Sequence, residues 1–174
     1  MNSRRRVNST VGCTFLTSMA EPVVYDKAKY HYDGDFPAEL EIEQGFVHTG
    51  MFLGWIIDHD LYSDWFGPDM SGYIAAFKNR EMTGAKVFEA CDGVLADDML
   101  TAEGNGFAQD YFDFNRGKYL ADYTELLGKG LPTIYHVADT WANYDKLKKG
   151  VDKRYREWQR GSSGGWRLFF KKRR

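Results

Sequence analysis

The run Phe46-Val47-His48-Thr49-Gly50-Met51-Phe52-Leu53-Gly54-Trp55-Ile56-Ile57 constrains the fold more than any other stretch. Acids precede it at Glu39, Glu41 and Glu43, and the polar triplet Asp58-His59-Asp60 closes it. The apolar part falls short of the roughly twenty residues that a membrane span needs. Read at helical spacing, Leu40, Val47, Met51 and Trp55 form one line and Ile42, Phe46, Leu53 and Ile57 another. A helix that is apolar on most faces is buried on several sides. The pattern predicts a central helix over about residues 37–60, opened by Pro37, with carboxylates complementing the positive end of its dipole. Gly50 and Gly54, four apart, are predicted crossing points where another backbone approaches, at a propensity cost near ~1 kcal/mol each.

The rest of the chain supplies partners for such a helix. At 174 residues, with 43% hydrophobic and 28% charged residues, it can build one sizeable core. Helical spacing recurs around Tyr73, Ile74 and Phe77, then from a cap at Thr83 through Val87 and Phe88, with Val94 and Leu95 placed beyond a break at Gly93. Thr101 is a further candidate cap, and Asp110 to Phe114 reads as helix or strand. Tyr119, Leu120, Tyr123, Leu126 and Leu127 mark a helix stopped by Gly128. Thr133 to Val137 is short enough to be extended. A last helix, capped at Asp139, carries the stripe Trp141, Tyr144, Leu147, Val151, Tyr155 and Trp158. The expected fold is mainly α, a single-domain helical bundle around the 37–60 helix, with room for one or two short strands.

Charge divides the chain into three. The stretches 1–18 and 160–174 hold nine of the 23 basic residues and none of the 25 acidic ones. Residues 19–159 therefore carry 14 basic against 25 acidic residues, a net of −11. An acidic body argues against nucleic-acid binding by the folded part, because phosphate contacts need clustered Lys and Arg. It suits a basic protein partner. The first eighteen residues, with Arg4-Arg5-Arg6, lack the apolar segment of a signal peptide, and are read as a disordered or mis-assigned extension before Met19. Residues 19–160 form the expected globular unit. Residues 161–174 read as a Gly/Ser linker followed by a basic and aromatic tail, in which Trp166, Phe169, Phe170, Lys171 and Lys172 suit weak contact with an anionic membrane surface. Two cysteines, Cys13 and Cys91, make no disulfide framework and fit a reducing cytoplasm.

Chemistry-bearing residues are few. His31, Asp33 and Asp35 form an H-x-D-x-D cluster, and Asp58 and His59 a second group of metal-capable side chains. Brought together by packing, these five make a mixed imidazole and carboxylate site for a divalent metal, although the spacing matches no established motif. His48 lies inside the apolar helix with Gln44 one turn before it, and with Trp55 these mark a candidate pocket. A buried imidazole needs a hydrogen-bond partner, and burial lowers its pKa. Asp26 reads only as a helix cap. No nucleophile with local partners, phosphate loop or dinucleotide fingerprint is present, so no catalytic residue and no cofactor is assigned from sequence.

Three segments carry a resemblance. Tyr25-Asp26-Lys27-Ala28-Lys29-Tyr30-His31-Tyr32-Asp33-Gly34-Asp35-Phe36-Pro37, then His48-Thr49-Gly50-Met51-Phe52-Leu53-Gly54-Trp55, then Tyr135-His136-Val137-Ala138-Asp139-Thr140-Trp141 resemble a family of small bacterial proteins of unknown function. The resemblance spans roughly Tyr25 to Trp158 and implies a bacterial, cytoplasmic, single-domain protein, with no activity to carry over. The leading expectation is a non-catalytic binding domain of immunity or antitoxin type. The alternatives are a metal-dependent hydrolase built on the His/Asp cluster and a membrane-surface regulator anchored by its tail.

Overall fold

The computed structural model describes the backbone of residues 21–170 and the side chains of residues 21–161. The extension 1–18 and the tail side chains Trp166, Phe169, Phe170, Lys171 and Lys172 lie outside these limits. Among the described residues there are eight α-helices and one two-stranded antiparallel sheet, as the mainly α reading expects. No helix among them is long and apolar enough to cross a membrane.

Strand β1, Val24–Lys27, runs directly into helix α1, Ala28–Tyr32. After a turn closed by the Leu40 amide on the Pro37 carbonyl, a 3-10 segment, Ile42–Phe46, leads into α2, Val47–Asp58. The short helices α3, Phe66–Asp69, α4, Ser71–Lys78, and α5, Gly84–Ala90, precede strand β2, Val94–Ala96. Helices α6, Ala102–Tyr111, α7, Tyr119–Leu127, and α8, Trp141–Phe170, complete the chain. The backbone of α8 passes through residues 161–165, where composition alone suggests a linker.

Helix α2 is the centre of the molecule. Every residue from Val47 to Ile57 is buried, as its all-round apolar character requires. It starts later than predicted, because Glu41 is extended (φ −69°, ψ 146°) and the stretch 42–46 is a tighter 3-10 turn. The Gln44 side chain from that turn donates to the carbonyls of Tyr135 at 2.8 Å and Val137 at 3.3 Å. Long-range bonding there overrides the helix propensity of the acidic stretch.

Gly50 performs the crossing expected of it. A methyl on its Cα would lie 2.6 Å from the Ala85 nitrogen and 2.7 Å from the Gly84 carbonyl oxygen, so α2 and α5 touch backbone to backbone. At Gly54 the space is taken by the Phe77 ring of α4, 2.7 Å from such a methyl, and by Tyr144 of α8. The α8 stripe lies over the same core, with Tyr144, Leu147 and Val151 buried.

Other boundaries differ from the sequence reading for local reasons. Val94 and Leu95 are strand, paired with Lys27 and Asp26 of β1, since Asp92 and Gly93 take left-handed conformations (φ 55° and 63°) that end α5 and turn the chain. Residues Ile134–His136 form a 3-10 turn, and α6 is helical to Tyr111. Thr140, not Asp139, bonds the first turn of α8, its hydroxyl accepting from the Asn143 amide. Asp139 instead accepts from the Thr83 hydroxyl at 2.6 Å.

Candidate functional site

Strand β1 and helices α1 and α2 converge on one buried group of polar side chains: Asp26, His31 and His48. The β1–β2 register shifts between Val24 and Asp26, the kind of irregularity that re-aims a side chain. Asp26 faces the core there and is 2% exposed. One α-helical turn later His31 points back at it, with Nε2 at 2.9 and 3.0 Å from the two carboxylate oxygens. His48, at the start of α2 and 1% exposed, brings its Nε2 to 3.2 Å from His31 Nε2 and 3.9 Å from Asp26 Oδ2. The His48 backbone is tied in turn, because the buried Tyr119 hydroxyl donates to its carbonyl.

Neighbouring groups fix this arrangement. The Thr49 hydroxyl donates to Asp26 Oδ2 at 2.5 Å. The Tyr135 hydroxyl lies 3.0 Å from His31 Nδ1, and Gln44 holds the Tyr135 carbonyl. The rings of Phe114 and Tyr135 stand about both imidazoles, with centroids at 5.8–6.0 Å. His31 is the least buried of the three, its side chain 13% exposed. Its outer edge faces Tyr135, on which Phe36 packs at 4.9 Å.

Burial drives the His48 pKa down to about 3, helped by charge on His31 and opposed by Asp26. Its imidazole is neutral at ordinary pH. Burial pushes the Asp26 carboxyl up, but the hydrogen bond and electrostatic attraction of His31 and the Thr49 hydroxyl outweigh it and hold its pKa below the usual carboxylate range.

A protein-only hydrogen-bond scheme serves this group poorly. If His31 Nε2 carries the proton, it must be shared between Asp26 and the lone pair of His48. If His48 Nε2 carries it, His31 loses its bond to the carboxylate. Three lone-pair atoms, two imidazole and one carboxylate, therefore face a common point that suits a cation. Ligands bound tetrahedrally at about 2.0–2.2 Å lie about 3.3–3.6 Å apart, so the 3.2 Å nitrogen pair is near that spacing and the 2.9 Å nitrogen–oxygen pair must open by a few tenths of an ångström. The third edge, from His48 Nε2 to Asp26 Oδ2, is longer at 3.9 Å.

The other residues singled out from sequence lie elsewhere. Asp33 and Asp35 are exposed, and Asp33 makes only a 3.8 Å surface pair with Lys29. Asp58 accepts from the Tyr144 hydroxyl and from Lys148, fastening the end of α2 to α8. His59 stacks on Trp55 at 4.1 Å, and its Nε2 and the Trp55 indole N–H both meet Asp152 Oδ1. Trp55 thus belongs to this anchor and not to a pocket around His48. Of the five metal candidates only His31 reaches the buried group; His48 belongs to it, and Gln44 is linked to it through the Tyr135 carbonyl. Asp26, Thr49 and Tyr135 were not marked as site residues by the sequence.

A family model described as "Domain of unknown function (DUF7832)" matches residues 24–137, well over half of the chain. The chain belongs to this family. The DUF7832 stretch contains the whole group, from Asp26 to Tyr135, and ends before α8. No curated protein and no solved structure matches the chain.

Proposed function

We propose that Asp26, His31 and His48 hold a divalent transition-metal ion and that the domain works as a metal-dependent hydrolase. The observation that carries this reading is the 3.2 Å approach of the two Nε2 atoms beside an ionised carboxylate. Two imidazoles and a carboxylate suit Zn2+ or Fe2+ better than Ca2+ or Mg2+, which prefer all-oxygen sets. Three protein ligands leave a coordination position for water, the arrangement of catalytic rather than structural zinc. Such an ion would lower the pKa of that water and polarise a carbonyl or phosphoryl oxygen. Tyr135 and Thr49 would serve as outer partners that orient His31 and Asp26.

Elemental analysis of the purified protein tests the first half. About one equivalent of Zn or Fe, lost on replacing His31 or His48 by Gln, is the expected result. Hydrolysis of ester and phosphoester substrates by metal-restored protein, absent in the same variants, tests the second. The alternative of a domain for a basic partner, in the manner of an immunity or antitoxin protein, draws its support from the acidic net charge of residues 19–159.

A further inference from the structure

A cavity of about 410 Å³ opens between β1, α3 and the 91–99 segment, lined by none of the metal-site residues. Its floor is apolar, formed by Phe66, Met70, Val94 and Met99. One wall is the indole of Trp65, which is 50% exposed although its N–H is committed to the Asp98 carbonyl at 2.7 Å. That bond fixes the ring, so its exposed surface is oriented before anything binds.

The rim has a single sign of charge. Glu21, Asp69, Asp92 and Asp98 line the cavity, no Lys or Arg does, and none of these four carboxylates has an ion-pair partner among the described residues. The Cys91 thiol inside it registers the field. Burial and then the charges of Asp92 and Asp69 push its pKa up to about 12. Asp92, one of the lining residues, sits in a left-handed conformation (φ 55°), at some conformational cost.

We propose that this cavity binds a small organic cation with an apolar body, of the alkyl- or aryl-ammonium class, independently of the metal site. The volume is that of a small-molecule pocket. The floor takes the apolar body, and the rim carboxylates neutralise the charge. The Trp65 face supplies a cation–π contact, strongest of the aromatic side chains. An anion or a neutral polar molecule gains nothing from this rim.

The probe is 4-phenylbutylamine, with its neutral counterpart 4-phenylbutanol, titrated into the full-length protein by NMR. Saturable shifts at the Trp65 indole and the Met70 and Met99 methyl groups are expected, at least about tenfold tighter for the amine. Asp69→Asn combined with Asp92→Asn should cut that preference severalfold while leaving binding of the alcohol unchanged. Asn tolerates the left-handed conformation at position 92, and an unchanged thermal transition confirms that the variant is folded. Equal affinities for amine and alcohol, or a preference undiminished by the double substitution, would overturn the proposal.

Discussion

His31 Nε2 and His48 Nε2 lie 3.2 Å apart, on two helices joined through a 3-10 turn, with Asp26 against the first of them. Two ring nitrogens at that distance can share one proton or one metal ion. The neutral state of His48 and the ionised state of Asp26 leave the lone pairs available for a metal at neutral pH.

The Tyr135 hydroxyl should matter to that metal without touching it. Tyr135→Phe removes the 3.0 Å bond to His31 Nδ1, and loss of an outer partner typically costs about 10- to 100-fold in metal affinity. Competition with a chromophoric chelator measures it. Wild-type affinity in the variant would mean that His31 is oriented by packing alone.

Gly50→Ala should be among the most damaging single changes. The added methyl meets the backbone of Gly84 and Ala85, which cannot turn aside as a side chain would. A loss of about 3 kcal/mol or more is expected in urea unfolding. Gly72→Ala, where a methyl meets nothing within 4 Å, should cost nothing and serves as the control.

Acid should release a contact that ties α6, α7 and α8 together. Asp122 accepts from Arg154 Nε and Nη2, both at 2.7 Å, and from the Tyr111 hydroxyl at 3.0 Å. Partial burial pushes its pKa up, but Arg154 and Tyr111 more than reverse this and leave it lowered. A carboxyl with a depressed folded-state pKa contributes stability that is present above the unfolded value, about 3.9, and is lost as pH falls through the folded value. Asp122→Asn should therefore be less stable at pH 7, and the gap should narrow between about pH 5 and 2. A gap that is constant with pH would exclude this contribution. Arg154→Ala, which leaves the carboxylate without its guanidinium, should cost about 1–2 kcal/mol at pH 7.

The sequence revealed the core better than the site. The identity of α2, its crossing at Gly50 and the α8 stripe follow from local periodicity, because burial on several faces leaves a pattern that neighbours in sequence share. The site is assembled across chain separations that no local pattern encodes: Asp26 to Thr49, His31 to Tyr135. Asp26 has the appearance of a helix cap, and only the β1 irregularity and the pairing with β2 turn it inward. Asp58 and His59 mislead for the opposite reason, since residues at a helix end also serve to fasten it to its neighbours, here Lys148 and Asp152 of α8. The three segments that carried the family resemblance hold Asp26 and His31, His48 and Thr49, and Tyr135. They meet at one point in the fold.

Extended X-ray absorption at the metal edge of the zinc-loaded protein tests the central claim most directly. The account predicts two imidazole ligands at about 2.0–2.1 Å with oxygen completing the shell, and loss of that bound-zinc signal in either His31→Gln or His48→Gln. A spectrum with no imidazole scattering, or one unchanged by both substitutions, would contradict it.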